Sequence, residues 1–330
     1  MPSPHPLRLV LWLLLACLAA ALPAHAPQAS AQSPAGPQAG RSPKVAMLTW
    51  RGPTDAETGF KAEMARLGYA PQYLEADAGQ DPARLEANIK ELAREEPDLV
   101  YTFGTTVTLA ALRTFRDRPV VFSMVSNPDR TGIMQDLSGS GRNAAGATHA
   151  VAESSLLSLL LDLTQARTVG VIFNPREKNS QVAVERLRGL AERAGVRLAE
   201  QEIVPGEDIR AATEALAHHG IDAAILPSDS FVVSHGREVV ALLNDHHIPT
   251  VAAVEPFVLE HGALIGLVAP YEETGREAAR VADRILHGEN PAAIPLAYVR
   301  PRHIVNLKTA ERLGVAIPDW IIQGAAAVIR

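Results

Sequence analysis

The stretch "PDLVYTFGTTVTLAAL" at Pro97–Leu112 decides the fold. It begins with a short continuous apolar run bounded by turn-forming residues, which is typical of a parallel strand buried on both faces. The run passes into a helix pattern through Gly104, Thr105 and Thr106. Small hydroxyl residues at such a junction suit either a helix N-cap or the floor of a binding site.

The same alternation of strand and helix patterns extends on both sides of this stretch. Apolar runs occur at "KVAMLTW" and "PVVFSMV", and Phe60, Met64 and Leu67 follow the i, i+4, i+7 spacing of a buried helix face. Short buried runs separated by amphipathic helices predict a doubly wound parallel sheet.

The pattern then starts again at "TVGVIF", which indicates an internal repeat. An offset of 124 residues sets Lys44 on Thr168, and the same offset sets Thr105 on Asp229. The predicted fold class is therefore α/β, with two similar doubly wound parallel-sheet lobes joined by a hinge.

Residues 1–31 have the pattern of a secretory signal peptide. Arg8 precedes the apolar run "LVLWLLLACLAAAL", which is shorter than the roughly 20 residues of a membrane span. Cleavage after Ala31 is preferred over Ala26, and residues 32–43 are predicted to form a flexible leader before a periplasmic protein. Cys17, the single cysteine, lies inside this segment; lipid anchoring there is disfavoured because the apolar run continues to Leu22.

Composition and motifs exclude several functions. The net charge of −6 and an aromatic content of 5% do not suit a nucleic-acid-binding protein. The chain has no G-x-S-x-G elbow and no phosphate-binding G-x-x-x-x-G-K-[ST] loop. Adjacent histidine pairs point to different helix faces, so neither a metal nor a cofactor is expected.

The candidate site follows from the geometry of parallel sheets, which bind ligands beyond the carboxyl ends of their strands. Hydroxyl and amide groups at these positions suit an anion, whereas carboxylates suit an ammonium group or a sugar hydroxyl. Helix caps, turn formers and solvated rim charges are the competing explanations for the same residues. The candidate ligand-binding residues are Trp50, Arg51, Thr105, Thr106, Ser126, Asn127, Asn174, Asp229, Ser230 and Glu255.

From Lys44 to Arg330 the chain resembles the substrate-binding proteins of ABC transporters, in the group with a type I periplasmic-binding fold related to tryptophan and tyrosine uptake proteins. The resemblance rests on an ordered set of segments that includes "PDLVYTFGTT", "RPVVFSMVSNPDRTGI", "VGVIFNPREKNS", "DAAILPSDSFVVS" and "IPLAYVRPRHIVNLKTAERLGVAIPDWII". It implies a monomeric two-lobed receptor that closes on a small-molecule solute and delivers it to a membrane permease.

The resemblance also implies the lobe boundaries and the roles of three residues. The first lobe takes residues 44–149 and about 268–290, and the second takes 150–267 and about 291–330. Thr105 and Thr106 bind the acidic group of the solute, and Asp229 suits its amino group. Many relatives carry a histidine-containing loop after the first strand, where this chain has "TWRGPTD". An aromatic or branched amino acid is the default solute.

Two other classes of function stay open on the sequence alone. One is a sensor-type binding protein that contacts a receptor instead of a permease. The other is a secreted hydrolase that uses Asp229 and Glu255, although the sequence supplies no supporting base or nucleophile.

Overall fold

The computed structural model describes residues 42–330. The predicted signal peptide and nearly all of the predicted leader lie outside the described residues. The strands are β1 Lys44–Thr49, β2 Gln72–Asp77, β3 Leu99–Phe103, β4 Val120–Ser123, β5 Ala144–Thr148, β6 Thr168–Phe173, β7 Arg197–Glu202, β8 Ala223–Leu226, β9 Thr250–Ala252, β10 Ile265–Val268, β11 Ala297–Tyr298, β12 Arg302–Asn306 and β13 Ala327–Ile329.

Helices connect most of these strands. They are α1 Asp55–Arg66, α2 Pro82–Arg94, α3 Gly104–Thr114, α4 Pro128–Thr131, α5 Glu153–Thr164, α6 Lys178–Ala194, α7 Ile209–His218, α8 Ser230–Ser234, α9 Gly236–Asp245, α10 Pro256–Leu259, α11 Tyr271–Leu286, α12 Leu307–Leu313 and α13 Asp319–Gly324. Within residues 42–330, none of the helices combines the length and the apolar character needed to cross a membrane.

The strands form two sheets, one in each lobe. The first sheet has the order β11-β5-β4-β3-β1-β2, and the second has the order β13-β12-β10-β9-β8-β6-β7. All neighbours pair in parallel except β10 and β12, which are antiparallel. This is the predicted α/β class with two parallel-sheet lobes.

The repeat is visible in matching contacts at the start of each lobe. The backbone N–H of Lys44 donates to Asp98 Oδ2 at 2.8 Å, and the backbone N–H of Thr168 donates to Asp222 Oδ2 at 2.9 Å. The two lobes thus use the same residue type, at the same offset along the chain, to fix the start of their first strands.

The chain crosses between the lobes three times. The crossings lie between β5 and α5, between β10 and α11, and between β11 and β12. Residues 297–298 pair with β5 in the first sheet, whereas the sequence-based boundary placed them in the second lobe. A two-residue edge strand is too short to produce a periodic apolar pattern.

Helix α11 returns to the first lobe and packs closely on α1. The contact depends on glycine, because a Cβ atom added at Gly275 would lie 1.9 Å from the carbonyl oxygen of Ala56. Any larger residue there forces the two helices apart. This packing fixes Tyr271, the first residue of α11, at the edge of the cleft between the lobes.

Candidate functional site

A pocket lies between the carboxyl ends of the two sheets, and we call it the first compartment. Residues of both lobes line it, including six of the ten predicted site residues: Trp50, Arg51, Thr105, Thr106, Asp229 and Ser230.

The amino end of α3 forms one wall of the first compartment. Gly104 has a φ of +79°, which a glycine adopts without strain, and α3 begins at this residue. No side chain among residues 42–330 caps the helix, so of the two explanations for Thr105 and Thr106 the helix cap does not hold: both lie in the first turn. The Thr105 Oγ1 atom is buried without a hydrogen-bond partner. The first N–H groups of a helix have no partner within it, so this wall favours an anion.

Arg51 places a positive charge beside this helix end. Its guanidinium carbon lies 5.7 Å from the centroid of the Phe103 ring, and its Nη2 atom donates to the Tyr271 hydroxyl at 3.1 Å. Burial raises the pKa of Tyr271 to about 12, which keeps the phenol neutral. The two aromatic rings therefore orient the cation without neutralising it.

The second lobe contributes an acidic wall. The Asp229 carboxylate accepts hydrogen bonds from the backbone N–H of Asn174 at 2.6 Å, from Ser180 Oγ at 2.7 Å and from the N–H of Val232 at 2.9 Å. The last bond makes Asp229 the N-cap of α8, and Ser230 is the first residue of that helix. Burial raises the pKa of Asp229, and its hydrogen bonds oppose this effect.

Glu177 adds a second carboxylate at the amino end of α8. Its two carboxylate oxygens accept from the backbone N–H groups of Ser230 at 2.9 Å and Phe231 at 3.1 Å. Burial, together with the nearby carboxylate of Asp229, raises the pKa of Glu177 to about 7. The amino end of α8 is thus closed by the protein's own carboxylates.

The other four predicted residues lie outside the first compartment. Asn174 accepts from the N–H of Arg176 in a turn, and Glu255 Oε1 accepts from the N–H of Tyr271 at 3.1 Å at the second crossing. Ser126 and Asn127 line a neighbouring pocket. Asp229 and Glu255 therefore do not share the pocket that an acid and base pair of a hydrolase would require.

One residue that the sequence analysis missed is His149, which follows β5 on the first crossing. Its Nε2 atom lies 2.8 Å from Ser228 Oγ of the second lobe and 3.2 Å from Ser126 Oγ of the first. Its Nδ1 atom is buried without a partner. Burial, helped by the charge of Arg51, lowers the pKa of His149 to about 4, so the ring is neutral near pH 7. The only available signal was its place directly after an apolar strand.

Metal binding finds no support among the side chains that the structure describes. Within residues 42–330, no three His, Asp or Glu side chains are grouped so that they could hold a metal ion.

Two hinged α/β lobes with a polar pocket at the carboxyl ends of their strands define a two-lobed solute-binding protein. The sequence matches the ABC transporter substrate binding protein family over residues 50–329, and the chain belongs to this family. Members of this family bind small-molecule solutes outside the cytoplasm and work with a membrane permease; they are binding proteins, not enzymes. The family recognised from the sequence is confirmed.

Among curated proteins, the chain is similar to the tyrosine-binding protein of Clostridioides difficile (strain R20291). The two are 27% identical over 230 residues, which is 69% of this chain and 66% of the relative. The chain therefore spans about two thirds of the length of that relative.

Solved structures show the same fold. An ABC domain in complex with L-Trp from Streptococcus pneumonia has a TM-score of 0.82 and 22% identity, covering 88% of this chain and 100% of the other. A ligand-free, open structure of a substrate-binding protein with adhesive properties from Clostridium difficile has a TM-score of 0.66 and 26% identity, covering 87% and 99%.

Proposed function

We propose that this protein binds an aromatic amino acid between its lobes and delivers it, as a periplasmic monomer, to an ABC permease. The solute's carboxylate binds at the amino end of α3, and its ammonium group faces Asp229. The predicted signal peptide at residues 1–31 supports export. The positions of the solute's carboxylate and ammonium groups follow from the charges in the first compartment.

The observation that carries the proposal is the open end of α3. Thr105 offers a buried hydroxyl with no partner among residues 42–330, and Arg51 adds a cation held in place by aromatic rings. A carboxylate accepts several hydrogen bonds at once and gains most from charged donors. No neutral solute group uses this combination as well.

The opposite wall supports an ammonium group on the same solute. Asp229 lines the compartment from the second lobe, and an incoming cation favours its ionised form. A zwitterion bound in this orientation satisfies both walls, whereas a plain anion meets repulsion from Asp229.

The aromatic side chain is supported by the similar proteins. One relative is a tyrosine-binding protein, and one similar structure was solved with L-Trp.

A thermal-shift screen of amino acids, sugars, nucleosides and polyamines tests the proposal. A ligand at a hundredfold excess over its Kd stabilises the folded state by about 2.7 kcal/mol, so binding is readily seen. We expect tryptophan or tyrosine to raise the melting temperature. Tryptamine lacks the carboxylate and indole-3-propionate lacks the ammonium group, and both should fail. Well-folded protein that responds to no amino acid contradicts the proposal.

Replacing both threonines of the α3 wall tests the position of the carboxylate. We expect Thr105→Val with Thr106→Val to weaken amino acid binding more than 100-fold, because two hydrogen bonds to a charged group are lost at about 1.5–3 kcal/mol each. Stability should change little, since Thr105 Oγ1 has no protein partner.

The matched control is Thr108→Val in the same helix. Its hydroxyl donates to the Gly104 carbonyl oxygen at 2.7 Å, so this change should lower stability and spare affinity. Titration calorimetry and urea unfolding measure the two quantities. Unchanged affinity in the double variant would place the carboxylate elsewhere.

A further inference from the structure

A second pocket adjoins the first compartment, and we call it the second compartment. It shares His149, Asn179 and Ser228 with the first. Residues from both lobes and from the first crossing line it. Its apolar lining includes Val151, Leu156, Ala183, Leu187, Ile225 and Ala253.

Most polar side chains around the second compartment already have partners, although His149 Nδ1 has none among residues 42–330. Glu153 accepts from Arg186 Nε at 2.7 Å and from Asn127 Nδ2 at 3.2 Å. Asn179 Nδ2 donates to the Ser228 carbonyl oxygen at 2.6 Å. A polar ligand group placed here would lose its hydration and gain few free donors or acceptors, which is unfavourable. The compartment therefore suits an apolar group.

The aromatic side chains of the first compartment are also committed. Phe103 and Tyr271 hold Arg51, and Trp50 is buried in the core of the first lobe. The charged end of a solute thus occupies a compartment in which the Phe103 and Tyr271 rings contact Arg51. The solute's own side chain needs apolar space elsewhere, and the neighbouring compartment provides it.

His149 lies at the boundary and lines both compartments. Among the residues that the structure describes, the side-chain partners of its ring are the neutral hydroxyls of Ser126 and Ser228, and Nδ1 has none. Turning the ring therefore breaks contacts with two neutral hydroxyls. A side chain that enters the second compartment replaces the ring with apolar contacts.

We propose that the second compartment is the subsite for the solute's apolar side chain and that His149 turns aside to join it to the first compartment. This inference rests on the proposed binding of an amino acid, and it assigns side-chain selectivity to Leu156, Ala183, Leu187 and Ala253. The solute class is an amino acid with a long unbranched alkyl or an aromatic side chain.

A homologous series of α-amino acids tests the subsite by titration calorimetry, with competition for the weakest members. The series is alanine, norvaline, norleucine, phenylalanine and tryptophan. From alanine to norleucine we expect affinity to rise roughly fourfold for each buried methylene. Affinity that does not depend on side-chain length overturns the proposal.

Filling the compartment from one helix gives the sharper test. Ala183→Leu on α6 should weaken norleucine and phenylalanine at least tenfold while leaving alanine unchanged. Ala194→Leu, an exposed position on the same helix, is the matched control and should alter neither. Thermal unfolding without ligand verifies that both variants fold.

Ala253→Leu fills the same space from the end of β9 and repeats the test if Ala183→Leu fails to fold. Loss of long-chain binding in either folded variant supports the subsite. Long-chain binding equal to wild type in both overturns it and leaves amino acid binding standing. A wild-type protein that binds no amino acid overturns the proposed function and the subsite together.

Discussion

The two lobes carry the same strand-to-helix junction but fill it in opposite ways. At the end of β3, within the described part of the chain, the Thr105 hydroxyl has no partner and no side chain caps α3. At the equivalent position of the second lobe, Asp229 caps α8, and Glu177 binds the N–H groups of Ser230 and Phe231. One junction is open to a ligand and the other is closed by the protein.

This difference gives two similar lobes opposite charge preferences: one wall of the cleft attracts an anion and the other attracts a cation. An uncapped amino end of an eleven-residue helix attracts an anion, and Arg51 adds to that attraction. The α8 end is occupied by two carboxylates, so its N–H groups are unavailable and the wall is acidic. A zwitterion therefore has one favourable orientation in the cleft.

The largest expected effect comes from closing the open junction in the manner of the second lobe. We expect Thr105→Asp to weaken amino acid binding more than 1,000-fold, because a carboxylate at the end of α3 repels the solute's carboxylate and takes its N–H donors. Titration calorimetry measures the loss. Thr105→Asn keeps the shape without the charge and should lose less; equal losses would show that charge is not the cause.

Opening the closed junction should cost stability. In Asp229→Asn an NH₂ group replaces one oxygen and meets N–H or O–H donors, so we expect the free energy of unfolding to fall by about 2–4 kcal/mol. Urea unfolding measures the change. Ser230→Ala is the control, since it keeps the backbone N–H that donates to Glu177. A fully stable Asp229→Asn protein would contradict the closed junction.

Much of this comparison was accessible from the sequence because it depends on regular elements. Continuous apolar runs located the strands, and one offset paired Thr105 with Asp229. The strand ends also located six residues of the first compartment.

The rest depended on local backbone geometry and on side-chain direction. Gly104, with a positive φ, starts α3 one residue before Thr105, so the threonines do not cap it. Glu255 sits after a strand as predicted, but its carboxylate turns to the N–H of Tyr271. His149 lies on a crossing, where no periodic pattern exists.

The closed junction should also respond to pH. The folded-state pKa of Glu177 is about 7, above its ordinary value of 4.5, so its contribution to stability is complete below pH 4.5 and is lost as the pH rises through 7. We expect the wild type to lose roughly 2 kcal/mol between pH 5 and 8.5 through this group. Glu177→Gln should flatten the pH profile of urea unfolding, and an unchanged slope would contradict the assignment.

The smallest expected effect concerns the starts of β1 and β6, where the two lobes form matching hydrogen bonds. Asp98 Oδ2 accepts from one backbone N–H, that of Lys44, whereas Asp222 Oδ2 accepts from two, those of Arg167 and Thr168, at 2.8 and 2.9 Å. We expect Asp98→Ala to cost about 0.5 kcal/mol and Asp222→Ala about 1 kcal/mol of unfolding free energy, because both sites are partly exposed. Neither change should alter solute affinity, since both residues lie at the strand ends opposite the cleft. If Asp98→Ala cost more stability than Asp222→Ala, the lobes would differ at the starts of their first strands as well as at their strand-to-helix junctions.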